Sequence, residues 1–337
     1  MARYILKRLF QGVFVIIGVS IFMFILSRIV PGDPGRLALG PRATQEAVDA
    51  LNKELYMDQP LVKQYFLWVR DVFNGDLGTS IITRRSVTVD VKQFLPATVE
   101  LMIFSGIFMV TGAIWLGKLA AKHRDGFIDG LARFLSYSGI SVPAFVVGIL
   151  FLLLFGHAWQ VIPVLGRLSP GIQEPSRITG LYVLDSLLTG RFSTAWNSIL
   201  HIFLPSLALS LGGMFQNARL LRNSLTENMS KEFMSVSRSY GLPRKLLMNR
   251  YLFKPSAGSV VTVMGLDFAA LMGNAFLVEQ IFNWPGLSRY GVNAMLNKDL
   301  NAMVAVVLII GVIFLVVNLL VDIIVASIDP RIRLGAK

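Results

Sequence analysis

The chain has 337 residues, of which 54% are hydrophobic and only 15% charged, against about 25% charged in soluble globular proteins. It has no cysteine, which excludes disulfides, thiolate catalysis and thiolate metal sites. Its net charge of +12 would point to nucleic acid in a soluble protein, so the placement of the charges decides their meaning.

The N-terminus carries Arg3, Lys7 and Arg8, and a largely apolar run from Leu9 to Leu26 follows. That run is long for a secretory signal, no small-x-small cleavage site follows it, and PGDP (Pro31 to Pro34) stops it. It reads as an uncleaved first transmembrane helix with its basic end in the cytoplasm. Residues 31–97 are polar and neutral, with eight Lys/Arg and eight Asp/Glu. Within them Val48, Leu51 and Leu55 share one helical face. Pro60 opens a second helix with Leu61, Tyr65, Trp68 and Val72 at helical spacing, and Asn74-Gly75 ends it. A small folded loop on the membrane part and a docking surface for an outside partner both fit these residues.

Five more apolar segments follow, at 98–121, 134–155, 199–218, 256–278 and 302–326. Each has about the 20 residues a bilayer crossing needs. Six crossings put both termini on one side. Segments 1–8, 118–133, 219–255 and 327–337 would then be cytoplasmic, and they hold 18 Lys/Arg against five Asp/Glu. The short outer loop 279–301 has only Arg289 and Lys298 as basic residues, and the neutral first loop is long enough to cross regardless of charge. The fold class is therefore an all-α membrane protein with six transmembrane helices, cytoplasmic N- and C-termini and a long external loop after helix 1. Its units are residues 1–30, the external loop 31–97, a core 98–326 of five transmembrane helices with the cytoplasmic loop 219–255, and a tail 327–337. The positive charge has a topological cause, and no nucleic-acid partner is expected. Loop 156–198 holds turns at Ile162 to Arg167 and at Pro170-Gly171. A short amphipathic helix at Leu181 to Leu188 would cap the external mouth.

In the fifth segment Gly265, Ala269 and Gly273 recur every four residues, as helices that approach closely in a membrane require. Asp267 lies on another face near mid-span. Intramembrane acids are costly and face a cavity or a partner. Three readings stand for it: a structural hydrogen bond, the lining of a substrate path, or proton coupling. Asn274 is a second path candidate. GAIWLGK (Gly112 to Lys118) fits the spacing of a phosphate-binding loop, but Leu119 stands where Ser or Thr must hold magnesium, and no strand precedes it. Helix packing explains Gly112, Ala113 and Gly117 better. His123, His157 and His201 have no metal-ligand spacing. No zincin motif or nucleophile elbow is present, and the chain reads as no enzyme.

The stretch Glu232 to Pro255 is a basic, polar island between two apolar segments. Met229, Phe233, Val236 and Tyr240 form an apolar stripe at helical spacing. Gly241 suits the C′ position that ends this helix. Pro243 suits the start of a second helix over Arg244 to Phe253, and Pro255 restarts the chain into the fifth segment. The residues alone fit two roles: a helix lying on anionic lipid or a protein-docking helix pair.

Six motifs in order then carry a resemblance. They are the N-terminal KRL with its helix and PGDP, GDLGTS (Gly75 to Ser80), PATVEL (Pro96 to Leu101), TGLYVLDSLLTG (Thr179 to Gly190), VEQIFNWPGLSRYG (Val278 to Gly291) and NLLVDIIVASIDPRIR (Asn318 to Arg333). Over essentially its whole length the chain resembles the inner-membrane permease subunits of peptide-type ABC importers, in their dipeptide and oligopeptide B branch. The resemblance implies a bacterial cytoplasmic-membrane protein in a heteromeric complex. Its partners would be a second homologous permease, two ATPase subunits and an extracytoplasmic substrate-binding protein. ATP and magnesium would bind in the ATPases and no cofactor in this chain. The stretch 232–255 aligns with the family's coupling loop, whose Glu-Ala-Ala, three residues, Gly pattern falls on Ser235, Val236, Ser237 and Gly241. The Glu-Ala-Ala letters are absent here. The coupling candidates are Met229, Phe233, Ser235, Val236, Ser237, Tyr240 and Gly241. Cargo of the branch spans dipeptides, longer peptides, glutathione and nickel complexes; peptides fit this chain best. A self-sufficient proton-coupled transporter using Asp267 is the reading from another class.

Overall fold

The computed structural model describes residues 2–29, 34–40, 42–54 and 56–328. The Pro31 to Asp33 part of the PGDP stop, Leu55, and residues 329–337 of the predicted tail lie outside the described residues. Those described form helices, loops and one isolated bridge between Thr79 and Ser86. In chain order the helices are α1 (Ala2–Ile29), α2 (Pro34–Leu39), α3 (Gln45–Glu54), α4 (Leu61–Phe73), α5 (Val87–Lys122), α6 (Phe127–Ser141) and α7 (Ala144–Phe151). Then come α8 (Tyr182–Leu188), α9 (Phe192–Met229), α10 (Glu232–Ser239), α11 (Arg244–Leu246), α12 (Phe253–Ile281), α13 (Leu287–Leu296) and α14 (Leu300–Ile328).

Five of these are long and apolar enough to cross a membrane: α1, α5, α9, α12 and α14. The sixth predicted crossing, over 134–155, is not one helix. α6 and α7 meet at an angle of 103°. Pro143 is the cause: it offers no N–H to continue the ladder, and it holds Val142 extended at φ −94°, ψ 119°. α7 then runs on through a wider π-helical stretch, Leu152–Ala158. With this bent pair taken as one span, the count among the described residues is six.

The long helices outrun their apolar cores. α5 starts at Val87, not near residue 98, and passes through Pro96. Proline leaves the carbonyl four residues back without its donor, and the Arg177 guanidinium donates to that Lys92 carbonyl. Pro255 does not restart the chain as the sequence predicts. It sits in the first turn of α12, which follows a π-helical stretch at Leu247–Leu252 without interruption. Wider turns of this kind absorb a helix defect such as a missing proline N–H.

α1 lies along α14. A side chain at Gly12 would meet Leu315 at 2.8 Å, and Arg8 Nε pairs with Asp322 Oδ2 at 3.0 Å. Further along α1, Ser20 Oγ is 2.8 Å from Tyr65 OH, and Phe24 packs on Tyr65 and Trp68. Two residues of the predicted α4 stripe thus face the first helix, while Leu61 is exposed. Val48 of α3 is buried.

Small residues set the helix spacing in the bundle. Gly112 abuts Met214, and a Cβ at Gly117 would come within 2.9 Å of the Ala218 carbonyl, so α5 and α9 touch backbone to backbone. That is the packing expected for Gly112, Ala113 and Gly117. Gly106 faces the Phe268 ring of α12, and Gly265 of α12 faces Val321 of α14. Replacing Gly265 with Leu overfills this α12–α14 contact and should lower stability by about 1–3 kcal/mol. Thermal unfolding in detergent should show the loss, and Val321→Ala in the same chain should recover part of it.

Candidate functional site

Three features could carry function: a cavity at the α6–α7 break, the 229–255 hairpin, and a plate of buried polar groups at the opposite end of the bundle. The apolar core divides accordingly. One cluster, around Phe282, Trp284 and Leu287, sits at the plate end. The other, around Met109, Met214, Leu225 and Met234, sits toward the hairpin.

The cavity lies where the two clusters meet, and its volume is about 450 Å³. Helix α6 stops at mid-bundle, so the chain turns away and leaves the space lined by Pro143 and its neighbours on one side and by α9 and α12 on the other. Asp267 and Asn274, the two path candidates, both line it, and Gln216 of α9 joins them. Asp267 is its one ionisable lining residue among those described. Asn217 Nδ2 donates to Asp267 Oδ2 at 2.6 Å and to the Gly213 carbonyl at 2.8 Å. Sequence reasoning missed Gln216, Asn217 and the break. Two adjacent amides inside an apolar segment, and a proline in mid-segment, were the available signals.

The stripe on α12 separates its members. Gly265 is in contact with α14 and Ala269 is buried. Gly273 has open space where a side chain would be. It lies with Leu266, Ala270 and Leu277 on one exposed helical face.

The hairpin is held from one side only. Helix α9 ends at Met229 and turns at Ser230, so Met229 packs with the core on a different helix from the rest of the predicted stripe. On α10 it is Met234, unmarked by the sequence reading, that is buried, at 2% exposure. Phe233, Val236 and Tyr240 are exposed at 38%, 53% and 80%. Ser235 is exposed, and Ser237 bonds only back to the Phe233 carbonyl. Gly241 has φ +69°, the left-handed conformation of a C′ glycine. The hairpin's base is tied by Asn228 Nδ2 donating to Ser256 Oγ at 2.9 Å, and α9 is tied to α6 by Arg222 on the fully buried Asp129.

At the far end four of the sequence motifs converge. Glu279 is completely buried; Thr98 Oγ1 donates to its Oε1 at 2.5 Å and the Arg289 amide to its Oε2 at 2.8 Å. The Trp284 indole donates to the Ala97 carbonyl at 2.9 Å. Glu100 accepts from Arg167 at 2.5 Å and from the Val183 amide at 2.8 Å. Arg167 also lies over the Tyr182 ring, 3.5 Å from its centre. Burial pushes the Tyr182 hydroxyl up to about 12. Asp185 caps the start of its own motif through Thr179 and Gly180. Burial alone would raise its pKa, but these bonds outweigh burial and hold it below the usual carboxylate range. Its contribution to stability is therefore present at neutral pH and lost only as pH falls through that lowered value. Asp299 accepts from Ser80 Oγ and the Ile81 amide, closing the GDLGTS segment onto α14.

The sequence comparisons agree with this architecture. Residues 92–334 match the profile of the binding-protein-dependent transport system inner membrane component. Residues 1–102 match the N-terminal part of the same kind of component. The chain belongs to this family. It is a multi-pass protein of the bacterial inner membrane, and the resemblance to peptide-type permeases read from its six motifs holds. It is 36% identical to the probable D,D-dipeptide transport system permease protein DdpB of Escherichia coli K12, over 98% of this chain and 97% of that protein. It is 33% identical to the dipeptide transport system permease protein DppB of Alkalihalophilus pseudofirmus, over 99% of this chain and all of the relative. It is 32% identical to the glutathione transport system permease protein GsiC of Salmonella paratyphi A, over 99% of each.

The buried Arg167–Glu100 pair makes the plate sensitive to single changes. Arg167→Met leaves Glu100 charged and short of a donor, and such a loss costs about 3–5 kcal/mol. A double variant, Arg167→Met with Glu100→Leu, should unfold at a higher temperature than Arg167→Met alone.

Proposed function

We propose that this chain is a permease subunit of an ATP-driven importer and forms half of the translocation path for di- and oligopeptides. The observation that carries this reading is the cavity at the α6–α7 break, with Gln216, Asp267 and Asn274 on its wall at mid-bundle. Intramembrane polar groups beside interrupted helices are what a bilayer-crossing path needs. Its volume lies within the range of small-ligand sites. The relatives named for dipeptides and glutathione support peptides as the cargo class. A glutathione importer or a nickel-complex importer would use the same architecture.

The other half comes from a second, homologous permease. The exposed α12 face with Leu266, Ala270, Gly273 and Leu277 supports this, because it borders the cavity and has small residues for close approach. Two ATPase subunits bind ATP and magnesium, and the 229–255 hairpin couples to them. Phe233, Val236 and Tyr240 give it an exposed apolar face, while Met234 anchors its back. Closure of the ATPases on ATP pushes the hairpins together and opens the path outward. A substrate-binding protein then delivers cargo at the plate end, where loops 31–97 and 156–198 receive it. Hydrolysis resets the path. Both termini and the hairpin lie in the cytoplasm, by the count of basic residues.

A proton-coupled transporter built on Asp267 has less support. Proton relays use chains of acids and histidines, and Asp267 is alone in the cavity among the described residues.

Co-purification tests the coupling. This chain, expressed with its partner permease and ATPases, should retain the ATPases in mild detergent, and Phe233→Asp should release them. Retention of the ATPases by the variant would refute the assignment of this face. The absence of cysteine makes the topology directly testable. A membrane-impermeant maleimide should label Phe73→Cys in intact spheroplasts and Tyr240→Cys only after the membrane is opened.

A further inference from the structure

The cavity is polar in an unbalanced way. Asp267 presents two carboxylate oxygens, and only Oδ2 takes the Asn217 amide. Asn217 is fully buried, and both of its recorded bonds use Nδ2, to Gly213 and to Asp267. Its own oxygen, Oδ1, is buried and has no hydrogen-bond partner. This orientation is forced, because a flipped amide would turn Oδ1 against two acceptors. Asp267 thus lines the cavity with one carboxylate oxygen that takes no donor from the described residues, and Asn217 behind it has spent both of its donors. No Lys, Arg or His lines the cavity among the described residues, so no basic lining side chain supplies the missing donors or the missing charge. Elsewhere the chain does match its acids: Asp129 with Arg222, and Glu100 with Arg167.

A carboxylate on the wall of a cavity with no basic lining residue is complementary to a compact cation with several N–H donors, and an ammonium group has three. Gln216 and Asn274 lie on the same wall and offer both donors and acceptors, as a peptide bond requires. We infer that Asp267 is a specificity-determining residue that takes the free N-terminal ammonium of a passing peptide on the carboxylate oxygen that Asn217 leaves open. The inference rests on the importer reading above and adds the orientation and charge of the cargo to it. It makes the path selective for peptides with a free amino end over capped or anionic solutes. Charge-assisted hydrogen bonds of this kind are the strong ones. Loss of one corresponds to a factor of about ten or more.

The test uses the full complex in proteoliposomes: both permeases, the ATPases inside with ATP, and the binding protein outside. A labelled dipeptide and its N-acetylated form are each supplied at a concentration that saturates the binding protein. Wild type should import the free amine at least about ten times faster than the acetylated form. Asp267→Asn should remove that preference, and Asp267→Glu should keep it. The binding protein is identical in every arm, so its own preference cancels when the variants are compared. An unchanged preference in Asp267→Asn would overturn the inference. So would an equal fall for both forms in Asp267→Asn, which would mark a structural or proton-transfer role. Import by this chain without ATPases would instead overturn the importer reading itself.

Discussion

A carboxylate can end a lipid-embedded helix only if its oxygens are matched, and Glu279 meets that demand by drawing three helices together. It lies at the end of α12 and is fully buried, and its donors come from Thr98 on α5 and the Arg289 amide of α13. Desolvating an unpaired carboxylate costs far more than one hydrogen bond returns. The arrangement is therefore close to all-or-none: these helix ends meet in this register or the buried carboxyl group is left without its donors. Gly286 shows how tight the constraint is, since any side chain there would collide with the Glu279 carboxyl group. The largest buried side chains, Trp284 and Phe282, close around it. The apolar core at this end is built on a polar decision.

The two ends of the bundle consequently differ in kind. At the plate end Glu279, Glu100, Asp185 and Asp299 each join segments distant in sequence or cap a loop. At the hairpin end the joints are methionine and leucine packing, the ion pairs of Arg222 and Arg133 on Asp129, and hydroxyl–amide contacts between α9 and α12. Apolar contacts are non-directional, so they tolerate sliding; buried charge networks do not. The hairpin joins α9 to α12, and these are the helices that carry Gln216, Asn217, Asp267 and Asn274. In the proposed role, force applied to the hairpin reaches the polar wall of the cavity through two continuous helices. In that role the plate would be the fixed end of the lever, and the 103° break between α6 and α7 would spare these two helices a shared rigid axis.

The membrane spans were legible because apolar length is a one-dimensional property. So were α4, α8 and the Gly241 turn, because capping and turn residues act locally. What escaped was whatever depends on neighbours far along the chain. Pro143 lies inside an apolar run, and hydropathy averages over it, so one crossing was read where two angled helices stand. Glu100 and Glu279 sat within quoted motifs, yet nothing local says that Arg167 and Thr98 meet them. The apolar stripe on 229–240 was legible as a period, but not which face the core takes. Met234 rather than Met229 anchors α10, because the turn at Ser230 changes the helix axis and with it the phase. Of the candidate site, Asp267 and Asn274 were visible as polar letters in an apolar segment. Their meeting with Gln216 and Asn217 was not, because it depends on how α9 rotates against α12.

The acids inside the bundle, four fully buried and Asp267 partly so, also distinguish structure from function without reference to any relative. An acid kept for stability is expected to have its acceptors filled by the protein, since an unfilled one costs stability with no return. Glu279, Glu100, Asp129 and Asp299 follow that rule. Asp267 departs from it in three respects at once. Its one partner is a neutral amide, that amide has an empty acceptor, and Asp267 itself lines a cavity that also takes Gln216 of α9 and Asn274 of α12. A helix-to-helix hydrogen bond could have been made with a serine or an asparagine at lower desolvation cost. A cation that visits and leaves, as inferred above for the amino end of a peptide, would account for a carboxylate at this position, and a transport path is where such a visitor would be found.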